Sequence, residues 1–430
     1  MSEQTLKITG GCKLSGIVDI SGAKNSALPL LFATVLSSGK CVLDNVPVLE
    51  DIEKTLQLLG DIGAICSFQN GRIETELREV ICSEAPYSLV KAMRASFWVL
   101  GPLLARCGQA SVALPGGDAI GTRPVDIHLD GLHKLGAKIT TEHGVVNAIA
   151  PKGLHGGTIH LPFPSVGATH HLLLTAALID DDVEIHGAAR EPEVVELATF
   201  LERMGAKISG AGTSTIRIHG ATSLQGAEIR VIGDRIEAAT YLAAAAITGG
   251  KITIRNIEVE SIASTIEVLT ASGCSCITSP STVIVRAPEK LSSVSFSTAP
   301  YPGLATDVQP ILMAMMTKAQ GIAEIEETIF ENRFGHVAEF RRFGADITVC
   351  GRNATVRGVN LLSAAPVQGL DIRAAAAMVI MGLAADGETV VEDIFHLHRG
   401  YDSMIAKLRS LGANIHLSNR KSRYELVVGC

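Results

Sequence analysis

The sequence has few aromatic residues and no excess of positive charge. Phe, Trp and Tyr make up 4% of its 430 residues, with a single tryptophan, Trp98. Lys and Arg number 37 against 44 Asp and Glu, which gives a formal net charge of −7. Because nucleic-acid-binding proteins neutralise phosphates with clustered Lys and Arg, and no such stripe is present, this class of function is excluded. A local group of cations around a small anionic ligand remains open.

The sequence also lacks a disulfide framework, a metal-binding motif and a membrane span. Its nine cysteines form no Cys-x-x-Cys pair and no regular spacing. Residues 1–10 are polar, without the apolar core of a signal peptide. The most apolar predicted helix, 374–385, is shorter than the roughly 20 residues that cross a bilayer. We therefore expect a cytoplasmic protein without membrane insertion and without a metal site.

The sequence does contain an internal repeat of about 70 residues. A glycine that ends an amphipathic helix recurs six times, at Gly63, Gly136, Gly205, Gly273, Gly344 and Gly412, with separations of 73, 69, 68, 71 and 68 residues. The preceding helices are predicted at 52–59, 127–135, 194–204, 262–271, 337–343 and 404–411. Glycine is the usual residue where a helix ends in the left-handed conformation. Six such units, each with strands and two helices, predict an α/β protein of two pseudo-symmetric domains.

Each unit also contains a second helix that is apolar on nearly every face and must therefore be buried. Polar residues occur only where these helices begin, near Lys24, Arg94, Ser165, Asp234, Asp307 and Arg373. Ser, Thr and Asp at such positions are explained by N-capping. Cations are not, because the positive end of the helix dipole opposes them. We infer that the buried helix starts form an anion-binding site.

The connector of the second unit differs from the other five. From strand to closing glycine it takes 24 residues, 112–136, where the others take 21 or 22. The extra length is rich in glycine and contains Asp118 and Arg123, which predicts a mobile functional loop over 113–124. A tolerated insertion is the alternative. Arg190, Arg333 and Arg399 occupy the matching connectors and could converge with Arg123.

Five segments together resemble the UDP-N-acetylglucosamine 1-carboxyvinyltransferase family. They are Ser21-Gly-Ala-Lys-Asn-Ser-Ala-Leu-Pro29, Pro115-Gly-Gly-Asp-Ala-Ile-Gly-Thr-Arg-Pro-Val-Asp126, Ala188-Ala-Arg-Glu-Pro-Glu193, Phe330-Glu-Asn-Arg333 and Arg399-Gly-Tyr401. The resemblance implies an inside-out α/β barrel with one domain at 22–230 and the other at 1–21 plus 231–430. It also implies an addition–elimination reaction between phosphoenolpyruvate and the sugar 3′-hydroxyl, without metal or organic cofactor.

The resemblance further implies the site residues. Lys24, Arg123 and Arg399 would hold the phosphoenolpyruvate anions, with Arg94 nearby, and Asn25 would bind the sugar. Asp307 would face the attacking hydroxyl, although an N-cap role is an alternative. Arg333 and Arg373 would complete the positive lining, and Ile329 lies near them in the sequence. The uridine and diphosphate would be bound by Arg123, Pro124, Val125, Asp126, Ile127, Ser165, Val166 and Gly167. Glu191 and Glu193 are also candidates for the site, but solvated or hinge-region salt bridges explain them equally well.

Two positions depart from the family pattern. Most members have Cys at the tip of the mobile loop, where this chain has Asp118. A carboxylic acid whose pKa is raised by burial still donates a proton, but the thiolate nucleophile is lost. Since the epoxide fosfomycin alkylates that thiol, we predict resistance to it. Phe163 occupies a position where relatives can carry Lys.

Two other functions remain as alternatives. One is the sister enolpyruvyl transferase that acts on shikimate 3-phosphate, although its Lys-Ser signature is replaced here by Lys24-Asn25. The other is a non-catalytic repeat scaffold that binds a protein partner. The sequence leaves the oligomeric state open.

Overall fold

The computed structural model describes residues 4–85, 87, 90, 93–116, 120–121 and 124–419. Asp118 and Arg123 lie outside these residues, so the two loop positions singled out by the sequence stay predictions.

The strands of the described residues form six four-stranded sheets that share one order. In each sheet the first two strands are parallel, and the third and fourth are antiparallel to their neighbours. The strands are β1 Gln4–Thr9, β2 Ser15–Asp19, β3 Cys41–Asp44, β4 Ile65–Gln69, β5 Arg72–Glu76, β6 Glu84–Ala85, β7 Gln109–Ala113, β8 Lys138–Glu142, β9 Val145–Ile149, β10 Gly157–His160, β11 Asp182–His186, β12 Lys207–Ser209, β13 Thr215–His219, β14 Glu228–Arg230, β15 Lys251–Arg255, β16 Ser275–Ser279, β17 Thr282–Arg286, β18 Phe296–Ser297, β19 Ile322–Glu326, β20 Asp346–Cys350, β21 Asn353–Arg357, β22 Pro366–Gln368, β23 Glu388–Glu392 and β24 Asn414–Asn419. Their orders in the six sheets are β14-β3-β5-β4, β6-β7-β9-β8, β10-β11-β13-β12, β2-β15-β17-β16, β18-β19-β21-β20 and β22-β23-β1-β24.

The helices are of an inner and an outer kind. Inner helices are buried on almost every side: α1 Lys24–Ala33, α3 Leu100–Cys107, α5 Val166–Ala176, α7 Arg235–Ile247, α9 Gln309–Met316 and α11 Ile372–Ala384. A 3₁₀ turn, Arg94–Val99, precedes α3, and another, Thr306–Val308, precedes α9. Outer helices are α2 Glu50–Asp61, α4 Asp126–Lys134, α6 Pro192–Met204, α8 Ala263–Ala271, α10 Val337–Arg342 and α13 Met404–Ser410, and α12 Phe395–Gly400 is an additional short helix.

Helices inside and sheets outside make this an inside-out α/β barrel, as predicted. The six outer helices occur where the repeat predicted them. The six glycines that follow them all have φ between 83° and 121°. Only glycine adopts that conformation at low cost, so the C-cap prediction is confirmed.

Two buried apolar clusters fill the molecule. One contains residues from Ala27 to Val231, and the other contains Leu6 to Ile20 together with Ile236 to Ile415. Strands β1 and β2 belong to sheets of the second cluster, although they precede α1 in the chain. Strand β14 conversely joins β3 in the first. The chain therefore passes between the two halves twice, at 20–23 and at 231–234.

The two crossover linkers, 20–23 and 231–234, pair with each other. Ala23 donates its backbone N–H to Ile232 O at 2.7 Å, and Asp234 donates to Ser21 O at 2.9 Å. A Cβ on Gly22 would overlap the carbonyl oxygen of Asn45. Glycine is required there by the close approach of backbone atoms, and this pairing brings the starts of α1 and α7 together.

Candidate active site

The first group of charges lies where Lys24 and Asp51 of one half meet Arg399 of the other, a region that we call the cleft. Lys24 Nζ lies 2.6 Å from Asp51 Oδ2, and Arg399 Nε lies 3.0 Å from Asp51 Oδ1. All three side chains are at most 10% exposed. Burial acts to raise the pKa of Asp51, but the charges of Lys24 and Arg399 outweigh it and hold that pKa below its usual value. The carboxylate therefore stays ionised between two cations.

Asp51 was not among the residues that sequence analysis singled out. It lies in the first turn of α2 with two other acidic residues, Glu50 and Glu53. An acidic first turn is favoured by the helix dipole in any surface helix. Nothing local distinguishes the one carboxylate that turns inward.

The second group of charges has Asp307 at its centre. Arg333 Nη2 lies 3.1 Å from Asp307 Oδ1, and Arg373 Nη2 lies 2.9 Å from Asp307 Oδ2. Burial acts to raise the pKa of Asp307, but the two guanidinium groups lower it well below its usual range. The alternative N-cap role is wrong, because no side-chain cap bond forms at that turn. The side chain is used for the two arginines instead.

Three cations that oppose their helix dipoles have carboxylate partners. Lys24 begins α1, Arg373 is the second residue of α11, and Arg235 begins α7. Arg235 Nε lies 2.8 Å from Glu193 Oε1; the Glu193 side chain is buried, and that of Arg235 is 13% exposed. This pair joins the two halves, which is the hinge-region role considered for Glu193. Burial raises the pKa of the neighbouring Glu191, although Arg235 opposes that rise.

The predicted convergence of the connector arginines occurs in part. Arg333 and Arg399 enter the cleft, whereas Arg190 is exposed and donates to Gly212 O at 3.1 Å. Arg190 was therefore wrongly grouped with them. Its connector leads into the Glu191–Glu193 segment, so the repeat position alone does not decide where the side chain points.

The remaining predicted residues border the first half of the cleft. Arg94 Nη2 donates to Pro124 O at 3.1 Å. Val125 precedes α4, whose first residues are Asp126 and Ile127. Ser165 caps α5 by accepting from Ala168 N at 3.3 Å, and Val166 and Gly167 follow in the first turn.

A cavity of about 170 Å³ lies beside these segments. Its lining includes Pro124, Asp126, Ile127, His160 and Phe163. Phe163 is 55% exposed, so an apolar ring lines this opening.

Asn25 and Ile329 lie on opposite halves of the molecule. Asn25 is half-buried in the first turn of α1. Ile329 precedes Arg333 and donates its N–H to Glu327 Oε1 at 2.9 Å. The Gly-rich connector reaches the same region, because Ile120 O accepts from Asn332 N at 3.2 Å. The described part of the connector thus contacts the half that carries Asp307.

Within the described ranges no group of three His, Cys, Asp or Glu side chains is arranged to hold a metal ion. A search of those same residues finds no helix long and apolar enough to cross a membrane.

Known proteins are similar to this chain over nearly all of its length. The family model described as EPSP synthase (3-phosphoshikimate 1-carboxyvinyltransferase) matches residues 8–424. UDP-N-acetylglucosamine 1-carboxyvinyltransferase 1 of Caldanaerobacter subterraneus subsp. tengcongensis is 49% identical over 405 residues, covering 94% of this chain and 97% of the relative. The corresponding protein of Trichlorobacter lovleyi is 49% identical over 410 residues, covering 95% and 98%.

Solved structures agree on the architecture. The crystal structure of the enolpyruvyl transferase NikO from Streptomyces tendae has a TM-score of 0.89 at 26% identity, covering 98% of this chain and all of that one. An EPSP synthase from Acinetobacter baumannii has a TM-score of 0.76 at 18% identity, which speaks for the fold alone. The chain therefore belongs to the EPSP synthase family of enolpyruvyl transferases and, within it, to the UDP-N-acetylglucosamine 1-carboxyvinyltransferases.

Proposed function

We propose that this chain transfers the enolpyruvyl group of phosphoenolpyruvate to the 3′-hydroxyl of UDP-N-acetylglucosamine and releases phosphate. The curated relatives at 49% identity bear the name of this enzyme. The reaction would be the first committed step of peptidoglycan synthesis, carried out in the cytoplasm and serving cell-wall growth, shape and division.

The observation that carries this proposal is that buried guanidinium N–H groups beside Asp307 have no hydrogen-bond acceptor among the described residues. Arg333 Nε and Arg373 Nη1 are buried and have no hydrogen-bond partner among the described residues. A buried donor left unpaired costs about 1–3 kcal/mol. The two charge groups contain four cations against two carboxylates, a surplus of two positive charges. A small ligand with both a phosphate and a carboxylate would satisfy the donors and neutralise the surplus.

We assign the cations according to their geometry. Lys24 and Arg399, together with Arg94 and Arg123, would hold the phosphate, because a compact ammonium and a guanidinium both suit a tetrahedral anion. Arg333 and Arg373 would hold the carboxylate, because a planar guanidinium group can donate two parallel hydrogen bonds to the two oxygens of a carboxylate. The same charges would then stabilise the tetrahedral intermediate as phosphate leaves.

Asp307 would act as the base for the sugar hydroxyl. Burial acts to raise its pKa, but the two arginines hold the pKa so low that it is a poor base without substrate. Once the phosphoenolpyruvate carboxylate shares those arginines, their hold on Asp307 weakens and its pKa rises. In this scheme the first substrate prepares the base for the second.

The sugar nucleotide would lie across the starts of α4 and α5. Residues 125–127 and 165–167 supply backbone N–H groups at helix starts, which favour phosphate oxygens, and Pro124 precedes them. Asn25 would bind the sugar, and Ile329 would border it from the other half. We take 22–230 and 1–21 plus 231–430 as the domains that close on this ligand.

Asp118 would donate the proton to the methylene carbon of phosphoenolpyruvate. A carboxyl group serves as general acid when its pKa is near the working pH. With no thiolate at position 118, fosfomycin would find no nucleophile on the loop. Asp118→Cys is the matched variant, and we expect it to become sensitive to the epoxide.

The test is phosphate release from phosphoenolpyruvate with either UDP-N-acetylglucosamine or shikimate 3-phosphate as acceptor, with and without fosfomycin. We expect release with the UDP-sugar only, unaffected by fosfomycin in the wild type and abolished progressively in Asp118→Cys. Release with shikimate 3-phosphate alone would move the chain to the sister activity. Absence of release with both acceptors would favour the scaffold.

A further inference from the structure

Glu327 is a buried acidic residue that directly follows strand β19. It is 1% exposed, so its polar atoms are paired with protein groups rather than with bulk water. Its Oε2 accepts from the Thr306 hydroxyl at 3.0 Å. Thr306 begins the 3₁₀ turn in which Asp307 is the next residue. One oxygen of Glu327 therefore fixes the start of the turn that carries the proposed base.

The other oxygen of Glu327 holds the segment that leads to Arg333. Its Oε1 accepts from Ile329 N at 2.9 Å and from Phe330 N at 3.1 Å. Arg333 follows three residues after Phe330, and its Nη2 lies 3.1 Å from Asp307 Oδ1. The two partners of this ion pair are thus carried by segments that are bonded to a single carboxylate.

Thr298 completes the contacts of Glu327. Thr298 Oγ1 accepts from Thr328 N at 2.9 Å and lies 3.0 Å from Glu327 Oε1. A hydroxyl that accepts from an N–H still has its own hydrogen to give, so Thr298 donates to Glu327. Glu327 is then the acceptor of four hydrogen bonds, two of them from backbone N–H groups.

The proposed reaction requires such an anchor for Asp307. Arg333 and Arg373 bind its carboxylate in the free enzyme. Once these arginines are shared with the carboxylate of phosphoenolpyruvate, they restrain Asp307 less. The bond from Thr306 to Glu327 involves no cation and does not depend on that exchange. A displacement of about 1 Å near the reacting atoms costs about 10²-fold in rate, so a fixed turn matters.

We propose that Glu327 is a positioning residue that holds Asp307 in place for the sugar hydroxyl through Thr306. Through the backbone of Ile329 and Phe330 the same carboxylate sets the position of the segment that supplies Arg333. The inference rests on the proposed function, in which Asp307 is the base. Glu327 itself touches no reacting atom in this scheme.

The test is the Thr306→Val variant of the full chain, assayed by phosphate release and by calorimetric binding of each substrate. The change keeps the shape of the side chain and removes the bond to Glu327, while the bonds from Ile329 and Phe330 remain. We expect kcat to fall about tenfold, because the base is displaced. KM and Kd for UDP-N-acetylglucosamine should rise about threefold, because a hydrogen bond to the sugar is weakened.

The binding of phosphoenolpyruvate separates positioning from a general loss of structure. Its Kd should stay within about twofold of the wild type in Thr306→Val, because the arginines keep their places. Tm should change by no more than that of the control, and Thr306→Ser should restore kcat.

Thr355→Val is the matched control. Thr355 on β21 is half-buried like Thr306, and its hydroxyl donates to Glu324 Oε2 at 2.9 Å across to β19. This is the same kind of bond in the same sheet, but it reaches no residue of the charge groups. We expect wild-type kinetic and binding constants.

Changes of Glu327 test whether shape or charge matters. Glu327→Gln keeps an oxygen for the backbone N–H groups, and its amide nitrogen can donate to Thr306. We expect its kcat to stay within about threefold of the wild type, whereas Glu327→Ala should lose about 10²-fold. An equal loss in both variants would overturn the positioning role.

The outcomes separate the two proposals. A wild-type kcat in Thr306→Val would overturn the positioning role, and so would a parallel loss of Tm and of affinity for both substrates. If the wild type binds UDP-N-acetylglucosamine but releases no phosphate with either acceptor, the proposed function is wrong. The Kd of the sugar nucleotide in Thr306→Val then still decides whether the bond to Glu327 positions Asp307.

Discussion

Asp51 and Asp307 each hold two cations in the cleft, but their surroundings give them different tasks. The Asp51 side chain is 1% exposed, whereas that of Asp307 is 27% exposed. A carboxylate without access to the cleft can only order Lys24 and Arg399. One at the cleft surface can also meet a substrate hydroxyl.

We expect Asp307→Asn to lower kcat by about 10²–10⁴-fold, the usual contribution of a general base. The KM for phosphoenolpyruvate should not rise, because the variant makes the site more positive. Initial rates of phosphate release at saturating substrate measure both constants. A kcat within about tenfold of the wild type would assign the base to another residue.

Asp51→Asn should act on stability. Removing one partner of a buried ion pair leaves the other charge uncompensated and costs about 3–5 kcal/mol of unfolding free energy. Asp61→Asn, at the exposed end of the same helix, is the control and should change little. Denaturant unfolding of both variants measures the loss. Equal midpoints for Asp51→Asn and Asp61→Asn would show that the fold is not destabilised when Lys24 and Arg399 lose the Asp51 charge.

At the scale of elements, the crossover linkers are held by carboxylates of the helices beside them. Glu196 on α6 accepts from Ile232 N at 2.9 Å and from the Ser26 hydroxyl. Glu237 on α7 accepts from Ser21 N at 2.7 Å and from Lys407 Nζ at 2.7 Å. Burial raises the pKa of each carboxyl to about 7, against the hydrogen bonds that lower it. Both linkers are thus tied to groups that titrate near neutrality.

This predicts a pH-dependent effect of Glu196→Gln. The folded pKa of Glu196, about 7, lies above its ordinary value of 4.5. The contribution of the protonated Glu196 carboxyl to the unfolding free energy is therefore complete below about pH 4.5 and is lost as pH rises through about 7. The Tm difference, variant minus wild type, should therefore be greater at about pH 8 than at about pH 5.5.

The control for that experiment is Glu202→Gln, an exposed position on the same helix. Its Tm difference from wild type should be small and constant with pH. A constant difference for Glu196→Gln as well would mean that Glu196 does not titrate in this range.

At the scale of the whole molecule, the N-terminal strands complete the second half. Strand β1 lies between β23 and β24, and Ile8 pairs with Thr389 and Ile415. Ile8 is fully buried, whereas Ile17 on β2 is 56% exposed. A segment at the start of the chain is therefore part of a core built mainly from residues after 236.

Ile8→Ala should lower the unfolding free energy by about 2–5 kcal/mol, because it opens a cavity in that core. Ile17→Ala should cost about 0.5 kcal/mol or less. Chemical denaturation measures both. Similar small losses would indicate that β1 is dispensable for the second half.

The sequence by itself determined the repeat, the two kinds of helix and the glycines that end them, because helical periodicity and a positive φ are properties of a few consecutive residues. It also indicated a cluster of charges at the buried helix starts, since cations there need a counter-charge. Only the tertiary structure decided which charges pair. Asp51 and Arg399 are 348 residues apart, and Asp51 resembles the other acids of its helix turn until α12 packs against α2. The carboxylates that order the cations and the exclusion of Arg190 both depend on how distant elements meet, which no local pattern records.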